Sequence, residues 1–287
     1  MINAPFDYQA PRTLDEAIAL LAKSRDAKVL AGGHSLLPLM KLGLAQPTTL
    51  VDIGRIAALR GITVNGEIAI GALATHQAVA DHPSVRERLA ALAEAAAAVG
   101  DLQVRGRGTI GGSLAHADPA ADEPAAVLAF DATIRAVGPA GERSIKARDF
   151  FTGTLETALR AGEILTEVRF PVPPPRTGSA YAKFPHPASR FAVVGVAAVV
   201  TLGKDGKVER AVIGVTGAAA KPFRASAAEK ALAGSKGDAA AIEAAAGKAA
   251  EGVKALSDLV ASAEFRRHLI AVYTKRALER ALEAAGG

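Results

Sequence analysis

The apolar and polar positions near the start of the chain predict a small β/α unit. Thr13-Leu14-Asp15-Glu16 has the form of a capping box, and the helical apolar spacing after it predicts a helix that ends near Ser24. Short apolar runs at 28–30 and 49–53 predict strands, with a short helical stretch after Pro38. The first predicted strand runs directly into a pair of glycines, which places a glycine loop at a strand end.

The middle of the chain mixes a hairpin with helices and further strands. Two alternating runs, 62–64 and 68–70, flank an Asn65-Gly66 pair, which is typical of a β-hairpin. The pattern predicts helices over 75–80, 84–99 and 125–130, a glycine loop over 106–112, and extended segments over 132–137 and 163–170. Pro171-Val172-Pro173-Pro174-Pro175 predicts a stiff extended linker, and therefore a domain boundary.

Beyond the linker the pattern predicts three strands and then helices. The strands are expected over 180–184, 191–202 and 208–215, with Lys204-Asp205-Gly206 as a hairpin turn, and the helices over 226–233, 238–254 and 264–285. We therefore expect two domains. The first spans 1–172, with subdomains of 1–57 and 58–172, and the second spans 176–287.

Composition excludes several classes of chemistry. The 287 residues include no cysteine, which excludes disulfides, thiolate zinc sites, cysteine nucleophiles and cysteine-held iron–sulfur clusters. Half of the residues are hydrophobic and 22% are charged, so a large core is available and global disorder is excluded. The net charge of +5 is scattered and aromatic residues make up 4%, which argues against a nucleic-acid interface.

Signals for export or membrane insertion are not found in the sequence. The segment Met1 to Asp7 lacks a basic region followed by an apolar one, so no secretory signal is predicted. The apolar run Phe191 to Val200 has about half the length of a bilayer span and predicts a buried strand. We expect a location in the cytoplasm or at the inner face of the membrane.

Two glycine-rich segments are the features most informative about chemistry. They are Leu30-Ala31-Gly32-Gly33-His34-Ser35-Leu36 and Gly108-Thr109-Ile110-Gly111-Gly112-Ser113-Leu114-Ala115-His116. Paired glycines allow positive φ and close approach to a ligand, and main-chain N–H groups exposed there suit a phosphate. Each segment alone also fits an ordinary tight turn. Two such segments in one chain favour a shared anion such as a pyrophosphate.

Other candidate motifs are less informative about chemistry. Gly106 to Gly111 matches G-x-G-x-x-G, but a helical stretch precedes it and Asp118-Pro119 soon interrupts the chain after it, so a Rossmann site is rejected. Asp122 fits either an acceptor for ribose hydroxyls or a helix N-cap. The six histidines lack metal-ligand spacing, and His34 and His116 are predicted to be loop donors. No catalytic dyad is indicated.

The two glycine-rich segments resemble the FAD-binding loops of the molybdenum hydroxylase flavoproteins. These are the medium subunits of the aerobic carbon monoxide dehydrogenase and xanthine dehydrogenase type. The residues that carry the resemblance are Ala31-Gly32-Gly33-His34-Ser35-Leu36, Thr109-Ile110-Gly111-Gly112-Ser113, Asp118-Pro119 and Asp122. The resemblance continues in order through 47–53, 163–165, 181–184 and 191–198, and so covers essentially the whole chain.

The resemblance implies an α+β fold and a set of site residues. The expected fold is a vanillyl-alcohol-oxidase-like FAD-binding domain of two α/β subdomains, followed by a three-stranded antiparallel sheet with helices. The segments 31–35 and 109–113 would bind the FAD pyrophosphate, with His116 close to it. Asp122 would contact the adenosine ribose, and Leu165 would lie near the adenine or flavin ring. Lys183 would stand near the isoalloxazine, and Leu36 would line the same pocket.

The implied function is that of an FAD-carrying electron-transfer subunit in a molybdenum hydroxylase. A small subunit would hold 2Fe–2S clusters and a large subunit the molybdenum cofactor, in a dimer of heterotrimers. Electrons would pass to a quinone, dioxygen, NAD or a carrier protein. Gly43 and Gly106 depart from the family pattern of Arg and Asn, respectively, without touching either glycine-rich segment.

Two other hypotheses stay open at this point. A stand-alone FAD oxidoreductase of the same fold, such as a UDP-N-acetylenolpyruvoylglucosamine reductase, would need acid–base residues of its own, and the Ala-rich C-terminal region offers no clear set. A structural subunit that has lost its cofactor would show an eroded glycine-rich segment, whereas both are complete.

Overall fold

The computed structural model describes residues 4–286. Met1, Ile2 and Asn3 of the N-terminal segment, and Gly287 at the end of the second predicted domain, lie outside the described residues. Within 4–286, no helix is both long and apolar enough to cross a membrane.

A small parallel sheet forms the N-terminal unit. Its strands are β1 (Asp7–Gln9), β2 (Ala27–Leu30) and β3 (Thr49–Asp52), in the order β1-β3-β2, and its helices are α1 (Leu14–Lys23) and α2 (Leu36–Lys41). The predicted helix cap is present, because Thr13 Oγ1 accepts a hydrogen bond from the N–H of Glu16. The Glu16 carboxylate accepts from the N–H of Arg12 instead of that of Thr13, so half of the predicted capping box forms.

A five-stranded antiparallel sheet forms the second unit. The strands between 62 and 171 are β4 (Ile62–Val64), β5 (Glu67–Gly71), β6 (Thr133–Gly138), β7 (Gly141–Lys146), β8 (Phe151–Gly153), β9 (Glu156–Thr157) and β10 (Ile164–Pro171). The large sheet has the order β4-β5-β10-β6-β7, and β8 pairs with β9 separately. The helices are α3 (His76–Asp81), α4 (Pro83–Arg88), α5 (Ala90–Ala97), α6 (Leu102–Arg105), α7 (Ile110–His116), α8 (Glu123–Ala129) and α9 (Ala147–Phe150).

A second antiparallel sheet follows the proline-rich segment. Its strands are β11 (Thr177–Pro185), β12 (Ala192–Leu202), β13 (Val208–Thr216) and β14 (Phe223–Arg224), and its helices are α10 (Ser226–Leu232), α11 (Ala239–Gly247) and α12 (Ala263–Gly286). The three expected strands are present, and the two-residue β14 adds a fourth. The α+β fold is confirmed.

Strand β12 has no polar side chain from Ala192 to Val200, as expected of a strand that is buried on both faces. Ala197 and Val199 belong to the core beneath the five-stranded sheet, whereas Val196 and Ala198 belong to the core beneath α12. This alternation is the two-residue period of a strand. The C-terminal sheet therefore lies between its own helices and helices α5 and α8 of the preceding region.

Three local predictions are wrong. The helix expected over 84–99 is broken at Leu89, whose φ of −127° and ψ of 48° leave the helical region while its side chain is fully buried. The helix expected over 238–254 ends at Gly247, a residue of low helix propensity. The loop expected over 106–112 is replaced at its end by helix α7, because Thr109 caps the chain there.

Candidate functional site

A cleft of about 1420 Å³ lies where the two sheets of the first 171 residues meet. Its walls come from the end of β2, the start of α2, helix α7 and the start of β10, and from residues 189–191, which connect two strands of the C-terminal sheet. Pockets for ordinary small ligands have volumes of roughly 300–1,000 Å³. The cleft therefore has room for a larger ligand of dinucleotide size.

The first glycine-rich segment offers free main-chain donors to the cleft. Gly33 has a φ of 78°, a left-handed conformation that glycine adopts without strain. Among residues 4–286, no acceptor is within hydrogen-bond reach of the N–H groups of Gly33, His34 and Ser35. Successive N–H groups beside a left-handed residue form a concave anion-binding site. This segment fits a phosphate.

The two glycine-rich segments contact each other through their backbones. A Cβ atom on Gly32 would lie 2.3 Å from the carbonyl oxygen of Arg107 and 2.8 Å from Cα of Gly108. Such distances are too short for any side chain. The absence of a side chain at Gly32 is what allows the two segments to line one cleft.

The second glycine-rich segment was expected to expose main-chain N–H groups to a ligand, but three of these groups are bonded within the protein. Ile110 and Gly111 donate their N–H groups to the carbonyls of Ala74 and Ala72, both at 3.0 Å, and Gly112 donates to Thr109 Oγ1 at 3.1 Å. A Cβ on Gly111 would lie 2.6 Å from Cβ of Ala72, so this glycine is needed for close packing rather than for positive φ. The segment can offer side-chain groups to a ligand, whereas these three N–H groups are already bonded.

Asp122 lies in the cleft wall but is already bonded on both oxygens. Its carboxylate accepts from the hydroxyl of Tyr181 at 2.6 Å and from Lys183 Nζ at 2.8 Å. It occupies the N-cap position of α8 without making a capping hydrogen bond. Burial raises the pKa of Asp122, and Lys183 and Tyr181 offset this in part, so the pKa stays above its usual value.

A buried histidine–glutamate pair, which no sequence motif indicated, lies beside Asp122. His76 Nδ1 is 2.8 Å from Glu123 Oε1, and both side chains are buried. Burial lowers the pKa of His76, but the carboxylates of Glu123 and Asp122 together raise it by more, and the net pKa is above the usual value. The main-chain N–H of His76 donates to the carbonyl of Gly108. No spacing pattern links positions 76 and 123, so only the tertiary structure reveals the pair.

Thirteen of the fifteen predicted site residues line the cleft. They are Ala31, Gly32, Gly33, His34, Ser35, Leu36, Thr109, Gly111, Gly112, Ser113, His116, Asp122 and Leu165. Ile110 and Lys183 are not part of its lining: Ile110 is fully buried, and the Lys183 ammonium is bonded to Asp122 and to the carbonyl of Ala98. Leu155, Arg160 and Arg190 also line the cleft, and no motif in the sequence indicated them.

Comparisons with known proteins identify the family. Residues 4–173 match the FAD binding domain in molybdopterin dehydrogenase, and residues 179–281 match the CO dehydrogenase flavoprotein C-terminal domain. The carbon monoxide dehydrogenase medium chain of Afipia carboxidovorans is 39% identical over 283 residues, which are 98% of each chain.

Solved structures agree over the whole chain. A chain of the carbon monoxide dehydrogenase from Hydrogenophaga pseudoflava is 42% identical, with a TM-score of 0.95 over 99% of both chains. A chain of quinoline 2-oxidoreductase from Pseudomonas putida 86 is 34% identical, with a TM-score of 0.92 over 98% of both. The chain therefore belongs to the FAD-binding medium subunits of the molybdopterin dehydrogenase family and is an oxidoreductase component.

Proposed function

We propose that this chain carries electrons through FAD within a molybdenum hydroxylase complex. It accepts them from 2Fe–2S clusters on a small subunit and passes them to an external acceptor: a quinone, dioxygen, NAD or a carrier protein. FAD supplies the exchange between single-electron and paired-electron transfer, and the chain's own residues bind and orient it. The family membership and the two joined glycine-rich segments support this proposal.

The single observation that carries the proposal is the free N–H groups of Gly33, His34 and Ser35 in the cleft. We assign the FAD pyrophosphate to this segment, because three N–H donors with no competing acceptor favour a negatively charged group. Ser113 and His116 of the second segment line the same cleft and complete the polar side of the site.

The apolar part of the cofactor needs apolar walls. Leu36 and Leu165 both line the cleft, and Leu165 is 4% exposed. We assign these two side chains to the aromatic rings of FAD. Burial of ring surface against leucine contributes affinity in proportion to the apolar area that leaves water.

The proposed electron path requires partner subunits. Iron–sulfur clusters are held by cysteine thiolates, and this chain has none. The clusters of the proposed path therefore lie on another chain, and we assign the molybdenum cofactor to a third, larger chain. We propose a dimer of such heterotrimers, located in the cytoplasm or at the inner face of the membrane.

Purification of the native assembly tests the proposal. The visible spectrum, metal analysis and mass of the acid-released cofactor are expected to show FAD, iron and molybdenum in a preparation of three chains. FAD on a lone chain would contradict the complex and favour a stand-alone oxidoreductase. A lone chain that fails to bind added FAD would contradict the cofactor assignment.

A further inference from the structure

The imidazole of His76 has one edge in the protein interior and the other in the cleft. Its Nδ1 atom is 2.8 Å from Oε1 of Glu123, which is fully buried and does not line the cleft. His76 itself lines the cleft, so the edge that carries Nε2 faces the cavity. Within residues 4–286, Nε2 has no hydrogen-bond partner. One ring nitrogen is therefore fixed by the protein, and the other is available to a ligand.

The Nε2 atom of His76 lies where the two glycine-rich segments meet. A Cβ atom on Gly108 would lie 2.7 Å from this nitrogen, and a Cβ atom on Gly32 would lie 2.8 Å from Cα of Gly108. The main-chain N–H of His76 also donates to the carbonyl of Gly108, at 3.0 Å. Two glycines in contact thus place the imidazole next to the first segment, in which the N–H groups of residues 33–35 have no acceptor within residues 4–286.

The Glu123 carboxylate favours the protonated form of the imidazole. Among residues 4–286, His76 is the only side chain that bonds to Glu123, and Glu123 Oε2 is buried without a partner. A buried carboxylate is costly unless a cation accompanies it. In the protonated form both ring nitrogens of histidine are donors. The imidazole then offers both a positive charge and an N–H group to the cleft.

Charged groups on two neighbouring elements also act on His76. Burial lowers its pKa and Glu123 raises it, while Asp122 beside α8 raises it further and Arg105 of α6 lowers it. Asp122 is paired with Lys183, and Arg105 donates to the side chain of the residue after His76. Glu123 is therefore the carboxylate in direct contact with the imidazole.

We propose that His76 is a further cofactor-binding residue, whose Nε2–H donates to the FAD pyrophosphate, and that Glu123 is the positioning residue that fixes the imidazole. This inference rests on the proposed function. The pyrophosphate is then bound by a protonated imidazole as well as by the N–H groups of the first segment. Charge-assisted hydrogen bonds are stronger than neutral ones. FAD therefore binds most tightly when His76 is protonated, and its affinity falls as the pH rises through the pKa of His76.

The test measures FAD affinity against pH in the full chain, by titration of flavin fluorescence from about pH 5 to about pH 9. The affinity of the wild type is expected to fall with rising pH by about tenfold to a hundredfold. His76→Gln is expected to bind weakly at low pH as well and to lose this dependence. Glu123→Gln is expected to keep the dependence but at lower pH, because loss of the carboxylate lowers the pKa of His76. His268→Gln, which replaces an exposed histidine of α12, is the control and keeps the wild-type profile.

Proton uptake on binding provides a second readout, which needs no change at the buried pair. FAD favours the protonated form of His76, so calorimetric titration in two buffers of different ionisation enthalpy should show net uptake of protons within the range in which His76 titrates. His34 and His116 also line the cleft and contain imidazoles. The uptake is therefore measured again in the double variant His34→Gln, His116→Gln, where it should persist.

Three outcomes would overturn the inference. The first is a pH profile of His76→Gln that parallels that of the wild type. The second is a profile of Glu123→Gln that is weaker by the same factor at every pH, which would indicate a purely structural pair. The third is loss of proton uptake in the His34→Gln, His116→Gln variant, and this measurement decides the matter if the variants of the buried pair do not fold. Failure of the wild type to bind FAD would contradict the proposed function instead.

Discussion

At the scale of single residues, the two glycine-rich segments show how far sequence reasoning reaches. The sequence identified both segments, and the positive φ expected of a paired glycine is found at Gly33. The sequence did not show whether a given glycine provides positive φ or allows close packing. Gly32 and Gly111 allow close packing. The difference depends on which backbone lies opposite. Arg107 and Ala72 are distant in sequence from the glycines they contact.

Gly32→Ala is expected to separate the two glycine-rich segments. The new methyl group would overlap the carbonyl oxygen of Arg107, and such overpacking costs about 1–3 kcal/mol. Flavin content and urea unfolding are the measurements. Gly247→Ala is the matched control, because nothing lies within 4 Å of its added Cβ. A Gly32→Ala protein with full flavin content and unchanged stability would contradict the assignment.

The buried pair of His76 and Glu123 predicts a pH-dependent stability. The pKa of His76 is raised above its usual value of 6.5 in the folded state. Its contribution is therefore fully present below the unfolded pKa and is lost as the pH rises through the folded pKa. Urea unfolding across neutral pH should show this loss in the wild type and a weaker loss in Glu123→Gln. If the free energy of unfolding changed with pH in the same way in both proteins, the pair of His76 and Glu123 would not be the cause of the change.

At the scale of elements, periodicity predicted what depends on local spacing. Helix α1 and strands β11 to β13 were expected and are present. The break at Leu89 was not, because a fully buried leucine in a non-helical conformation leaves the apolar pattern on either side intact. The start of α7 was also missed, since two glycines in its first turn disfavour a helix and packing against Ala72 outweighs that preference.

The contact between β13 and α8 gives a prediction at this scale. A Cβ on Gly214 would lie 2.0 Å from the carbonyl oxygen of Ala125, so the strand and the helix touch through their backbones. Gly214→Ala is expected to push them apart and to lower the free energy of unfolding by about 1–3 kcal/mol. Thermal and urea unfolding measure the effect. A free energy of unfolding equal to that of the wild type would show that the strand and the helix can separate without loss of stability.

At the scale of the whole molecule, the proline-rich segment separates the two family matches but does not separate two cores. The first match ends at residue 173 and the second begins at residue 179, yet Tyr181, Ala197 and Val212 pack into the core of the region before the proline-rich segment. The sequence could not reveal this, because a strand buried on both faces has the same apolar pattern whichever helices cover it.

Hydrogen exchange of the main-chain N–H groups, with and without FAD, is the measurement that tests the central claim most directly. The N–H groups of Gly33, His34 and Ser35 have no acceptor among residues 4–286, so bound FAD is expected to slow their exchange strongly. Those of Ile110, Gly111 and Gly112 are already bonded within the protein and should change less. FAD that binds without protecting residues 33–35 would contradict the assignment of the pyrophosphate to the first glycine-rich segment.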